Sequence, residues 1–380
     1  MKKIIGISIA IELPKESLFT NGIRQNAISL FHLLQRWDGC EEVYFINFGS
    51  QKDLTQSPWQ KYSKYILDYE TSLTKLNVFL SVTVMPYNNQ LDEYRKRGIK
   101  LVSISYGAQL STFVENCLFY TNDTLPEKSK GLFQHRSKFD AVWTSPHLYE
   151  KDKDFLSILC KTDNVKICPY IWSPEFVNQH VELNGGLDQV LYKPKPKKKV
   201  SCFEPNISII KNNIYPTVIA EHFYRRHKDL CEDKLVKFSM FGSDPIMHKK
   251  VFINFVKDLQ VHKGKKLFFE GRYPIVWSLK EHTDVVLSYQ NQCELNYLYF
   301  DAAWLGYPLI HNSPLLPNLG FSYDGYDVDQ SCKHLEYILN GGFDSEYKSY
   351  LWKSRDMIYP YLDTHPNNIL GYAKLLEDLF

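Results

Sequence analysis

No two of the eight cysteines form a CxxC pair. They lie at positions 40, 117, 160, 168, 202, 231, 293 and 332, scattered through apolar stretches. That spacing excludes a zinc ribbon, argues against a disulfide framework and points to a reducing compartment. Long apolar runs are lacking too, and none reaches the ~18 residues that a membrane span needs. The start, Met-Lys-Lys and then eight mostly apolar residues before Glu12, is short for a signal peptide and has no cleavage site. The expectation is a cytoplasmic protein with no membrane element, in the host cytoplasm if a phage encodes it. Charge of one sign is also missing. A net charge of +2 gives no global nucleic-acid footprint, so any basic surface must be local. There is no short-period repeat.

What is present is a chain of 380 residues, longer than one core usually supports, so two domains are expected. Hydrophobic content of 44% and charged content of 23% suit a globular fold. Aromatics reach 15%, with 26 Tyr, which reflects either the codon usage of an AT-rich genome or a surface that stacks on rings. Apolar runs of strand length at 4–11, 42–48, 77–84, 100–105, 139–144 and 164–169 alternate with helical patterns at 24–37, 90–97 and 147–160. This alternation predicts a parallel sheet covered on both faces. The rhythm stalls at 172–199, where "YKPKPKKKV" can form neither a central strand nor a helix. It resumes with strands at 200–203, 236–241, 266–269, 285–289 and 308–311, and helices at 215–226, 245–262 and 294–305. The predicted fold class is therefore α/β, with two facing Rossmann-like domains and a C-terminal helical tail. The expected boundaries are 1–175, a linker at 176–199, 200–345, and a tail at 346–380. Ligands of such folds bind at the carboxyl ends of strands, so the site is expected in the inter-domain cleft.

Four segments carry candidate chemistry. In "SLFTNGIRQNAISLFHLLQRW" a strand breaks at Thr20-Asn21-Gly22 and a helix follows, with Ala27, Leu30, Phe31, Leu34 and Trp37 on one face. Thr20 or Asn21 can cap the free amides, Gly22 admits a close ligand, and Arg24, Gln25 and Asn26 add donors. A plain capped helix explains the same residues. In "SYQNQCELNYLYFDAAWLGYPLIHNSP" a strand leads into a helix that stops at Gly306. A helix from 294 would set Glu294, Tyr297 and Asp301 on one face, with Asn296 at its start. Carboxylates there could accept from the vicinal hydroxyls of a ribose, or could line a solvated face. His311, Asn312 and Ser313 follow the next strand. "CFEPNISIIKNNIYPTVIAEHFYRR" puts Lys211 between strand and helix, where it could neutralise a diphosphate. "KFSMFGSDP" puts Gly242 and Ser243 at a strand end.

Together with the tail "YLDTHPNNILGYAKLL", these segments resemble a family of uncharacterised bacterial and phage proteins with the look of GT-B glycosyltransferases. The resemblance spans nearly the whole chain. It implies a nucleotide-sugar donor, UDP-linked, held mainly by the C-terminal domain. Lys211 would meet the diphosphate, Glu294 with Asp301 would face the ribose, and the 21–26 corner would close over the sugar from the other domain. Many GT-B enzymes carry two glutamates eight residues apart. Here Asp301 follows Glu294 at seven and position 302 is Ala, which weakens the ribose assignment relative to the fold. No DxD-type motif stands in a setting suited to a metal, since Asp152 and Asp154 fall in a Lys-rich helix start. Metal independence and no further cofactor are therefore expected.

An inverting enzyme would also need a general base. Asp92, His135 and His147 lie near strand–helix junctions of the first domain, and the sequence does not choose among them. The resemblance suggests a monomeric glycosyltransferase acting on a hydroxyl acceptor. The first choice is 5-hydroxymethylcytosine in double-stranded phage DNA, taking glucose or arabinose. The basic stretches at 94–100, 193–199 and 224–228 would hold phosphates. A bacterial surface-glycan transferase, a nucleotide-sugar epimerase and an inactive binding module remain alternatives.

Overall fold

The computed structural model describes residues 2–13, 22–55, 57–119 and 137–380. The chain divides into two units: Met1–Ser173 with Pro360–Phe380, and Pro174–Tyr359.

The first unit is built on seven parallel strands: β1 (Lys3–Ile9), β2 (Cys40–Asn47), β3 (Ile66–Leu67), β4 (Val78–Ser81), β5 (Lys100–Ser105), β6 (Ala141–Thr144) and β7 (Val165–Ile167). Their spatial order is β3-β2-β1-β4-β5-β6-β7. β1 is buried from Ile5 to Ile9 because helices cover both faces, which is why its sequence is an apolar run rather than an alternation. On one face, Phe31 of the helix Gly22–Leu34 stacks on Phe45 at 4.6 Å. On the other, Phe79 stacks on Tyr94 of the helix Asn88–Lys96, also at 4.6 Å. Gly6 permits this second layer to close: a Cβ there would stand 2.5 Å from Leu76 Cδ1.

The second unit repeats the plan with six parallel strands: β8 (Lys198–Cys202), β9 (Leu235–Met240), β10 (Leu267–Phe269), β11 (Val285–Leu287), β12 (Leu309–His311) and β13 (Phe321–Ser322). The order is β10-β9-β8-β11-β12-β13. Connections run one way from β8 and the opposite way from β11, so the switch point lies between these two neighbours.

The predicted strands of both halves are present, and the α/β architecture with two Rossmann-like units is observed. Three expectations change. The segment at 176–199 is no linker. It folds as the helices Pro174–Leu183 and Leu187–Val190 and the start of β8, all within the second unit. Its Lys run is exposed at Lys193, Lys195 and Lys197 but turns inward at Lys198, which is 1% exposed and whose Nζ lies 2.7 and 3.0 Å from the Asp344 carboxylate. The tail is helical with a break between Pro360 and Pro366, as expected, but it does not stay within one unit. Tyr347–Ile358 packs in the second unit, whereas Pro366–Glu377 belongs to the first, where the Tyr372 hydroxyl donates to Pro169 O at 3.0 Å. Finally, the helix expected at 245–262 is two short pieces, Lys250–Val256 and Gln260–Lys263. Among the described residues, no helix is long and apolar enough to cross a membrane.

Candidate functional site

The carboxyl ends of β8, β9, β11 and β12 carry most of the candidate residues. After β8 the chain makes an irregular loop, 203–213, before the helix Ile214–Arg226. Its shape is held from inside. Asn206 adopts a left-handed φ of 55°, and its side chain donates to Glu204 O and Gly242 O, each at 2.9 Å. The Asn206 side-chain Oδ1 accepts from Asn213 N at 2.9 Å. Asn213 Nδ2 donates to Ser243 Oγ at 2.8 Å, which itself donates to Met240 O at 2.7 Å. Gly242 has a φ of +70°, and a Cβ there would lie 2.8 Å from Glu204 O. Gly242 thus lets the β9 end approach the loop, and buried Ser243 ties the two together rather than reaching outward. Lys211, half-buried, stands on this loop, with its N–H on Ser208 O at 3.3 Å.

The loop after β11 joins the same cluster. Asn291 N donates to Ile210 O at 2.9 Å, linking it directly to the Lys211 loop. Gln290 and Asn312 exchange two bonds of 2.8 Å: Gln290 N to Asn312 Oδ1, and Asn312 Nδ2 to Gln290 O. Ser313 Oγ donates to Glu294 O at 2.6 Å. Glu294 therefore sits in the loop, not on a helix. The helix Tyr297–Trp304 starts three residues later, because the Asn296 side chain accepts from Leu298 N at 3.3 Å and caps it. Asn296 is thus a capping residue and Tyr297 opens the helix. Asp301 is buried in its second turn. The expected shared face of Glu294, Tyr297 and Asp301 does not form as one helical stripe.

At the centre lies a residue the sequence did not single out. Glu204 is 1% exposed and follows β8 at the switch point. Ser288 Oγ donates to its Oε1 at 2.5 Å, and Gln290 Nε2 to its Oε2 at 2.5 Å. Ser288 Oγ also lies 3.2 Å from the Tyr299 hydroxyl. Burial pushes the Glu204 carboxyl up to about 7, against the lowering effect of its two donors and of the Lys211 charge. The available signal was an acid placed directly after an apolar strand and before Pro205.

His311 is fully enclosed. Its Nδ1 accepts from Ser313 N at 3.0 Å, which leaves the proton on Nε2, 2.6 Å from Leu319 O. Burial lowers its pKa to about 4. Both ring nitrogens are spent on the backbone, so the expected donor contact by His311 has no ring atom left to make it.

The first-unit candidates are dispersed. Gly22 begins its helix and Arg24 Nη2 reaches Ala10 O, just past β1, at 3.5 Å. Asp92 is exposed in the interior of the helix Asn88–Lys96, not at a junction. His147 follows β6 and is buried, with its ring edge-on to Tyr170 at 5.9 Å. Asn21 and His135 lie outside the described residues.

No curated protein matches the sequence. Solved structures do match in fold. The lipopolysaccharide outer core galactosyltransferase WaaB is similar at a TM-score of 0.56 and 11% identity over 100% of both chains. HepE from Anabaena, solved with UDP-glucose, gives 0.55 and 10% over 99% of this chain and 100% of its own. A glycosyltransferase from Rickettsia africae gives 0.55 and 13% over 100% and 98%. These likenesses show the fold, which is that of GT-B glycosyltransferases. One family profile covers the sequence over residues 5–376, and the chain belongs to that family, described as protein of unknown function (DUF2827).

Proposed function

We propose that this chain is a glycosyltransferase using a nucleotide-sugar donor, UDP-linked, gripped by the second unit. The observation that carries the reading is the convergence, at the switch point of the second sheet, of the Lys211 loop, the Gly242–Ser243 turn and the 290–296 loop. Switch points of parallel sheets are where such folds take nucleotides. The fold neighbour HepE, which covers nearly the whole chain, was solved with UDP-glucose. In this reading Lys211 meets the diphosphate and offsets the charge that grows on the leaving group, with no metal ion required. Glu294, from the loop, faces the ribose.

For the acceptor, hydroxymethylcytosine DNA and a surface glycan remain in contention, and one observation favours the glycan. Six cations of the basic stretches that would hold DNA phosphates are paired with acids of this chain. Lys96 and Arg97 bond Glu93, Lys100 bonds Asp140, Lys195 bonds Asp284, Lys198 bonds Asp344, and Arg226 bonds Asp329. Cations committed in this way release fewer counterions from DNA.

The test is incubation with UDP-glucose, UDP-galactose and UDP-N-acetylglucosamine. They are supplied alone, with hydroxymethylated DNA, or with lipopolysaccharide core oligosaccharide, and products are read by mass spectrometry. A sugar added to either acceptor supports transfer and names the class. Isomerised donor without acceptor would instead indicate an epimerase. Lys211→Ala is expected to weaken UDP affinity about tenfold while the circular dichroism spectrum stays unchanged. Unaltered affinity would remove Lys211 from the site.

A further inference from the structure

Glu204 lies beneath the loop that carries Lys211, and both of its oxygens are engaged. Ser288 Oγ and Gln290 Nε2 each donate to it at 2.5 Å, a pattern that suits the ionised form, which can only accept. The titratable groups around it come from four elements. Cys202 ends β8, Tyr299 lies on the helix Tyr297–Trp304, Tyr323 follows β13, and Lys211 stands on the loop. Burial drives Cys202, Tyr299 and Tyr323 well toward their neutral forms. Lys211 is thus the charge among them that favours the ionised Glu204 carboxylate, alongside the Ser288 and Gln290 hydrogen bonds and against the effect of burial.

Gln290 supplies the second observation. It is 4% exposed, and while its Nε2 serves Glu204, its Oε1 is buried with no hydrogen-bond partner among the described residues. A buried acceptor left unmade is costly. A protonated Glu204 would need an acceptor for its new O–H, and the same amide offers one by a half-turn about its terminal bond. The Glu204–Gln290 hydrogen bond can therefore form in either charge state.

Resting on the reading that Lys211 meets a diphosphate, we propose that Glu204 takes up one proton from solvent when the diphosphate engages Lys211, with the Gln290 amide turning to accept it. The physical reason is charge balance. A diphosphate claims the cation that had stabilised the carboxylate and adds negative charge nearby, so the ionised acid loses its support in a poorly solvated place. Glu204 acts through Lys211 and Gln290 and is a positioning residue. Its carboxyl titrates at about 7 in the free protein, so the exchange falls at neutral pH.

The experiment is calorimetric titration of UDP into the intact protein at pH 7.5, in Pipes and in Tris, for wild type and Glu204→Gln. The two buffers differ in ionisation enthalpy, so the difference in heat counts protons. Protons on the UDP phosphate contribute equally in both proteins. Wild type is expected to take up about half a proton more than Glu204→Gln. Its UDP affinity should also fall several-fold more steeply between pH 7 and 9. Equal proton counts with UDP bound by both would overturn the inference and leave the donor reading standing. Failure of wild type to bind UDP or ADP at millimolar concentration would overturn both. Gln290→Leu, which keeps Glu204 but deletes the acceptor, gives the second arm: its uptake should drop toward that of Glu204→Gln, and wild-type uptake there would equally sink the proposal.

Discussion

Glu204 and His311 pull the pH dependence of stability in opposite directions. Glu204 titrates at about 7 in the folded protein, above the ordinary carboxylate range, so between roughly pH 4.5 and 7 the folded state holds the extra proton. Its contribution to stability therefore falls as pH rises through that window. His311, lowered to about 4, is the reverse: its contribution is complete above pH ~6.5 and is lost on acidification toward 4. Each effect is worth on the order of 3 kcal/mol, and in wild type they largely offset one another between pH 4.5 and 6.5. Glu204→Gln removes one side. Its unfolding free energy, measured in urea at pH 7.5 and pH 5, should drop by at least ~1 kcal/mol more than that of wild type. Parallel curves would show that Glu204 is not buried and titrating as described. Neither residue could be assigned from the sequence. His311 looked like a ligand because it ends a strand, yet its environment is made by Leu319 and Ser313. Glu204 was not singled out, and only Ser288 and Gln290, more than eighty positions on, reveal its burial. The position of Lys211 between a strand and a helix was legible, because it needs no distant partner to be noticed.

At the scale of elements, apolar runs marked the buried parallel strands well, since these are covered on both faces. β3 and β13 escaped notice because two residues show no period. Helix starts were the weakest point. The helix after β11 begins at Tyr297 rather than at 294 because Asn296 caps it, and that shift moved Glu294 off the helix. Another start is fixed from outside. Asp152, buried in the helix Tyr149–Cys160, accepts from Gln109 N at 2.7 Å and Leu110 N at 3.3 Å, capping the helix Gln109–Phe119. The sequence placed Asp152 in a Lys-rich helix start, with no hint of this role. Asp152→Ala should cost ~1–2 kcal/mol and speed amide exchange at residues 109–112, while exchange in β8–β12 stays as in wild type. Unchanged exchange at 109–112 would mean that the cap contributes nothing.

Across the whole molecule, the chain leaves the first unit at Ser173 and returns to it at Pro360. The returning segment is integral to that unit's core. Tyr372 is fully buried beside Trp143, at 6.1 Å between ring centroids, and its hydroxyl lies 3.1 Å from that of Tyr106. Deleting 360–380 should therefore expose an aromatic face of the first unit and make residues 2–173 protease-sensitive. Residues 174–359 should stay resistant and keep their UDP affinity. Equal resistance of both parts would show the segment to be dispensable. The twofold α/β plan was readable along the chain, but the discontinuity was not. The tail's helical pattern says that it packs, not on which core, and that choice depends on Trp143 and Tyr106, more than two hundred residues earlier.

That return has a consequence for biosynthesis. A ribosome translating this message completes every residue of the second unit before Tyr372 has been added, whereas the first unit, although begun before it, lacks a piece of its interior until Tyr372 follows. The half that emerges earliest must wait longest, with Trp143 and Tyr106 uncovered, and that interval is when a holding chaperone would have something to hold.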